Sequence, residues 1–194
     1  MSNRYSFSEI VKNTYSLCMT KLFYPNARLL RRPIYIRGKK SLVYGKNFTT
    51  GYSCRFDLEG NKKTLFIGDN CQIGDNVHFV AYERVEIGKG CLLASKIFIS
   101  DTSHGSYNND DETSIPSIPP NNRKLVTAPV KIGDNVWIGE NVVILSGVEI
   151  GSGCIIGANS VVTKNIKANS IVAGIPAKVI KCWDEQSSKW VKLS

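Results

Sequence analysis

Histidine is scarce in this chain: 194 residues carry only His78 and His104. A catalytic zinc held by three imidazoles therefore cannot be assembled within one chain. The six cysteines offer no substitute, because they form no Cys-x-x-Cys pair and no Cys/His spacing of a zinc site. No metal site is expected. Long apolar runs are missing too. Nothing approaches the roughly 18 consecutive apolar residues of a membrane span. The opening MSNRYSFSEIVKNTYSLCMTKLF lacks the apolar core and small-residue cleavage pattern of a secretory signal. The expected location is the cytoplasm, where reducing conditions keep cysteines as thiols.

Acidic residues are sparse at one end only. Residues 1–66 hold 13 Lys/Arg against 3 Asp/Glu, a balance of +10, and the other 128 hold 12 against 13, a balance of −1. The formal charge of +9 therefore resides at the N-terminal end, with Arg31, Arg32, Arg37, Lys39 and Lys40 among its carriers. A solvated basic cap accounts for this. Attraction of an anionic acceptor also would, such as a lipid-pyrophosphate-linked sugar, with peripheral association at the inner face of a membrane. No nucleic-acid-binding motif accompanies the charge, so nucleic acid is not an expected partner.

What the chain does have is a six-residue repeat. From Ile132 to Lys167 it reads IGDNVW, IGENVV, ILSGVE, IGSGCI, IGANSV and VTKNIK without a slip. Earlier units are IGDNCQ at Ile67, IGDNVH at Ile73 and, after a two-residue change of phase, IGKGCL at Ile87. Six is neither a helical period nor a plain strand alternation, and a fixed repeat of this kind indicates a stacked β-solenoid. The first position is nearly always Ile, and the fifth is small or β-branched (Cys71, Val77, Cys91, Val136, Val142, Val148, Cys154, Ser160, Ile166). Both are predicted to face a narrow core, which explains three of the cysteines as buried packing residues. The fourth position is always Asn or Gly: Asn70, Asn76, Gly90, Asn135, Asn141, Gly147, Gly153, Asn159 and Asn165. These residues tolerate left-handed backbone most cheaply, so each hexad is a short strand followed by a sharp corner. Three sides close an 18-residue coil, with successive coils about 4.8 Å apart.

Around this stack lie irregular segments. Residues 6–24 carry a helical apolar pattern (Ile10, Val11, Tyr15, Leu17, Cys18, Leu22), read as a short helix covering the first coil within an N-terminal cap, residues 1–32. The solenoid domain spans 33–181 and is interrupted at 101–128 by DTSHGSYNNDDETSIPSIPPNNRKLVTA. Long polar insertions in compact domains are usually functional or disordered. Residues 182–194, with the amphipathic stretch Trp183–Val191, are read as a C-terminal cap, since solenoid ends must be covered.

The hexads, the insertion with its lone histidine, the segment VWIG and the closing AGIPAKVIK resemble the hexapeptide-repeat acyltransferases. Within these, they are similar to the acetyl-CoA-dependent branch containing galactoside, maltose and xenobiotic acetyltransferases. RRPIYIR, CRFDLEG and KIFISDTSHG look closest to bacterial lipopolysaccharide O-antigen O-acetyltransferases. The likeness runs from about Ile34 to Lys181. It implies an all-β solenoid of one particular hand, a left-handed parallel β-helix, which periodicity alone cannot give and which opposes the usual right-handed crossover. It also implies acetyl-CoA as co-substrate, a saccharide acceptor and a homotrimer.

The chemistry centres on His104. Acetylating a hydroxyl needs a base active near neutral pH, which an imidazole provides. A loop histidine bonded to backbone is the plain alternative, but the resembled enzymes carry their catalytic histidine in a loop at this place. Asp101 either fixes the tautomer of His104 or simply opens the loop as an Asx turn. A backbone N–H near Gly139–Glu140 is expected to hold the oxyanion. Trp137 sits at an outward hexad position. It is either a subunit contact or, as the resemblance implies, a neighbour of pantetheine and acceptor. The resemblance also maps cofactor contacts onto Ala158, Thr163, Lys164, Lys178 and Lys181, where the last two replace arginines and keep charge without bidentate geometry. The family position at Glu140 is often Ser. A sugar-binding Asn of the galactoside enzymes falls on Gly74, which argues against galactoside as acceptor. Arg55 and Asp57 are either sugar ligands or a salt-bridged coil edge. His78 is expected to face outward, as a surface histidine or a sugar contact. Two other readings stay open: acetylation of a small sugar or antibiotic, and a catalytically silent β-helix used for binding or assembly.

Overall fold

The computed structural model describes residues 5–107 and 113–192. The chain winds into a left-handed parallel β-helix of about seven turns with one N-terminal helix. Each turn contributes strands to three flat faces. The first face stacks Leu29–Leu30, Thr49–Thr50, Gln72–Ile73, Leu92–Leu93, Trp137–Ile138, Ile155–Ile156 and Ser170–Gly174. The second runs from Ile34–Arg37 through Cys54–Leu58, His78–Ala81, Phe98–Ser100 and Val143–Ile144 to Val161–Val162. The third runs from Leu42–Tyr44 through Leu65–Ile67, Val85–Ile87 and Val130–Ile132 to Glu149–Ile150.

The core follows the hexad grammar. First-position isoleucines such as Ile73, Ile138, Ile144 and Ile156 are buried, and so are all nine fifth-position residues. Eight of the nine predicted corner residues have positive φ, between 55° and 78°. Asn165 is the exception. Its side chain instead accepts from the Glu149 amide at 2.9 Å, stabilising the last coil by hydrogen bonding. Lys96 takes the left-handed conformation at a corner where neither Asn nor Gly is present. The Asp of IGDN has its own job: Asp69, Asp75 and Asp134 accept from the amides of Lys46, Tyr52 and Lys89 one coil earlier.

Both ends depart from the hexad pattern. The helix Phe7–Phe23 forms where its capping box, Ser6 with Glu9, starts it. However, its only buried residues are Ser16 and Thr20, and the apolar positions that were expected to cover the coil point to solvent. At the other end the first face continues antiparallel, with Ala177–Asp184 and then Lys189–Lys192, and Trp183 meets Trp190 edge-on at 5.5 Å.

Candidate active site

His104 reaches the surface because the stack is broken after Ser100. Thr102–His104 leaves the second face and pairs antiparallel with Leu125–Thr127, placing His104 opposite Leu125. The insertion is thus partly a β-ribbon rather than a plain loop. His104 is exposed, and its imidazole makes no hydrogen bond among the described residues. Its carbonyl is held, since it accepts from the Tyr107 hydroxyl at 2.7 Å, and that oxygen accepts from Arg123 Nη1 at 2.7 Å. Arg123 also donates to the carbonyls of Ile118 and Pro116, fastening the ribbon's far side. The next residue must be glycine: Gly105 has φ +122°, and a Cβ there would stand 2.9 Å from that of Ser114.

A groove of about 350 Å³ runs from His104 across the second face, lined by His78, Phe98, Ser100, Thr102, Leu145 and Ser146 among others. His78 is half-buried rather than fully outward. Its ring packs 5.3 Å from that of Phe98, and Nε2 lies 2.9 Å from Asp57 Oδ2. A carboxylate only accepts, so Nε2 carries the hydrogen. Asp57 also pairs with Arg37 at 2.9 Å and Arg55 at 2.6 Å. Burial pushes its carboxyl upward, but hydrogen bonds from Arg55, His78 and Arg37 prevail and hold it below the ordinary value. The salt-bridged edge offered as one reading of Arg55 and Asp57 is therefore present, and it extends to the wall of the groove.

One expectation needs correction. Asp101 does not reach the His104 ring. It is fully buried, and its carboxylate accepts from the amides of Tyr82, at 3.0 Å to each oxygen, and of Glu83 and Arg84, both at 2.8 Å. Tyr82–Arg84 is the corner created by the two-residue change of phase, whose amides have lost their place in the hexad ladder. Asp101 supplies their acceptor. Of the two amides expected near the oxyanion, one is already engaged. The Gly139 N–H is committed to the Ile156 carbonyl at 2.8 Å, whereas the Glu140 N–H has no partner among the described residues.

The residues matched to cofactor binding lie elsewhere. Trp137 is on the first face, half exposed at 51%, in a register column that continues through Ile155 and Ile171 to Lys181. Three strand spacings put Trp137 roughly 14 Å from Lys181 along the stack. Lys178 lies on the same added strand opposite Ala173, and Ala158 stacks under Gly139 at the corner between first and second faces. Thr163 and Lys164 occupy the far corner, beyond Val161–Val162. One chain therefore groups His104 with His78 and the Asp57 cluster, but leaves Trp137, Gly139 and the lysines beyond the second face. Phe98, Leu145, Tyr107 and Arg123 escape sequence reasoning. For the first two the available signal was an apolar residue at an outward hexad position.

Comparison with known proteins fits this geometry. Residues 129–164 match the family described as bacterial transferase hexapeptide (six repeats), and residues 65–100 match the hexapeptide repeat of succinyl-transferase. The chain is 42% identical over 192 residues to WbbJ of Escherichia coli (strain K12), assigned as a lipopolysaccharide biosynthesis O-acetyl transferase, covering 99% of this chain and 97% of that one. Among solved structures, a maltose O-acetyltransferase from Clostridium difficile 630 superposes with a TM-score of 0.62 at 27% identity, over 93% of this chain and 90% of that one. A hexapeptide-repeat acetyltransferase from Vibrio cholerae, solved with acetyl coenzyme A, gives 0.58 at 26% identity, over 76% and 75% of the two chains.

Proposed function

Because the chain belongs to the hexapeptide-repeat acetyltransferases, we propose that it transfers acetyl from acetyl-CoA directly to a sugar hydroxyl of a bacterial surface polysaccharide, O-antigen or a related glycan. The observation that carries this reading is His104, an exposed imidazole with no hydrogen bond among the described residues, at one end of a groove on the second face. His104 accepts the proton of the acceptor hydroxyl as its oxygen attacks the thioester carbonyl. The oxyanion of the tetrahedral intermediate receives a hydrogen bond from the Glu140 N–H. The intermediate then collapses with loss of the thiolate, which takes the proton from His104. No acyl-enzyme forms.

The acceptor is placed in the His104 groove, against Phe98 and within reach of the Arg55, Asp57 and His78 cluster. Acetyl-CoA is placed along the first-face column, its thioester near Trp137 and its phosphates toward Lys178 and Lys181, with Ala158, Thr163 and Lys164 as further contacts. Support for the donor comes from the Vibrio neighbour's complex, and support for the acceptor class from WbbJ. Base and cofactor column lie on different faces, so a complete site requires the first face of a second copy, and a homotrimer closes that arrangement. The likeness to a maltose acetyltransferase favours a free sugar as the second reading.

The test is titration calorimetry of acetyl-CoA with light scattering for mass, followed by acetyl transfer to saccharide acceptors. Binding to a trimer is expected. His104→Ala should retain that binding and lose about 10²–10⁴-fold in turnover, the usual contribution of a general base. Retained turnover would remove His104 from the chemistry, and binding without any turnover in the native chain would favour the silent scaffold.

A further inference from the structure

The helix Phe7–Phe23 is packed with its polar side inward, the reverse of a helix that serves only to cover a core. The inward contacts are specific. Thr20 Oγ1 accepts from the Leu30 amide at 2.9 Å and donates to the Ser16 carbonyl at 2.6 Å. Ser16 Oγ accepts from the Arg32 amide at 3.1 Å, and Arg31 Nε donates to Asn13 Oδ1 at 3.2 Å. These bonds key the helix to the start of the first coil and fix which side faces out.

The outward side is apolar. Phe7 is 82% exposed, Leu22 70%, and Ile10, Val11 and Tyr15 each more than half. Cations flank it: Arg28 and Arg31 lie beside Ile10 and Leu17, Lys12 and Arg32 beside Tyr15, and Lys39 Nζ stands 5.5 Å from the Phe23 ring. The sequence of residues 1–44 has nine Lys/Arg and a single acid, Glu9. Glu9 is already occupied in the capping box, where the Ser6 amide donates to it at 2.7 Å. Lys12, Arg28, Lys39 and Lys40 are exposed. A second copy seated on this side would bring the same cations with it and repel. An anionic surface with an apolar interior satisfies both features at once. Among the described residues no helix is long and apolar enough to cross a membrane, and this one, at 17 residues, is suited to lie in the interface plane.

We infer that Phe7–Phe23 is an in-plane anchor that seats this end of the β-helix on an anionic lipid bilayer. Its apolar side enters the headgroup boundary, and the surrounding Lys and Arg pair with lipid phosphates. The inference does not depend on the acetyl-transfer reading, since either can hold without the other.

The experiment is co-sedimentation of the full chain with phosphatidylcholine vesicles, alone and containing about 30% phosphatidylglycerol. Binding is expected on the anionic vesicles, several-fold weaker on the neutral ones, and falling as NaCl rises from about 50 to about 500 mM. The double substitution Val11→Ser/Leu22→Ser should cut binding about tenfold while circular dichroism and mass by light scattering stay unchanged. Three results would overturn the inference: no binding to anionic vesicles, equal binding by the double variant, or a smaller mass for that variant, which would show the face sealing copies together.

Discussion

Replacing Asp101 by alanine separates two roles for a buried carboxylate beside the segment that carries His104. The side chain is inaccessible to solvent and receives hydrogen bonds from three consecutive backbone amides, Tyr82, Glu83 and Arg84, at 2.8 to 3.0 Å. A hydrogen bond to a charged group contributes about 1.5–3 kcal/mol, and a buried donor left without a partner costs about 1–3 kcal/mol. Tyr82 and Arg84 are exposed residues whose amides can recover water in part, so the lower half of the range applies. The expected loss is about 3–5 kcal/mol. For a chain of this size that corresponds to a fall in Tm on the order of 10 °C. Denaturant titration at fixed protein concentration is the assay, because the stability of the proposed trimer would depend on concentration. Asp101→Asn keeps one carbonyl acceptor and should lose about half as much. Turnover per folded molecule should stay within about tenfold for both, whereas a lost tautomer-orienting partner costs up to about 10⁴-fold. Unchanged stability with collapsed turnover would refute the anchoring role.

The thiols give an independent check on the core: at pH 8 a thiol reagent should modify exposed Cys18 promptly and leave Cys54, whose thiol burial pushes up to about 11, untouched until unfolding. Prompt labelling of Cys54 would contradict its packing. The Asp57 carboxyl sits below its unfolded value of about 3.9, so its stabilisation is present above that pH and lost as pH falls through the lower folded value. Asp57→Asn should therefore destabilise at pH 7 and converge with the native chain only as pH falls below the lowered folded value; a constant difference between them across the acid range would refute the pairing. On the proposed trimer, mixing His104→Ala with Trp137→Ala subunits gives every mixed trimer one interface with both native residues, so about a quarter of native activity should return. No recovery would place both residues in the same subunit's site.

How far the sequence could be read depended on whether a residue's role is repeated. Ile at the first hexad position and Asn or Gly at the fourth recur with each turn, so one physical rule accounts for every copy, and the structure keeps all but Asn165 of the corners. The places where the repeat slips behaved differently. Asp101 looked like a neighbour of His104 because it is three residues away, but the change of phase near Tyr82 had created amides that needed an acceptor. Only the fold brings the two segments together. Arg123 and Tyr107 are 16 residues apart in a segment without period, and nothing in their spacing announces that they clamp the His104 carbonyl. The helix shows the same limit from the other side. Its apolar spacing gave the element and its extent, but spacing alone does not say whether an apolar side turns to the core.

The distribution of residues over the faces also bears on why acceptor specificity is hard to read. A parallel β-helix keeps every outward residue in register with those one coil above and below, so a column of side chains forms a recognition strip by construction. On the second face one such column runs Tyr35, Arg55, His78, Phe98, Val143 and Val161. Its charged part is at the N-terminal end, beside the anionic-lipid anchor inferred for the helix, and its apolar part is toward the C-terminal end. In the proposed function, base chemistry enters between them, where His104 projects from the break after Ser100. An acceptor lying along this column with an anionic group toward Arg55 and Arg37 and a sugar hydroxyl at His104 would match both ends. In the proposed reading, specificity is then set by the length between anion and hydroxyl, measured in coil spacings of about 4.8 Å, rather than by any one side chain. That is why no single motif in the sequence names the sugar.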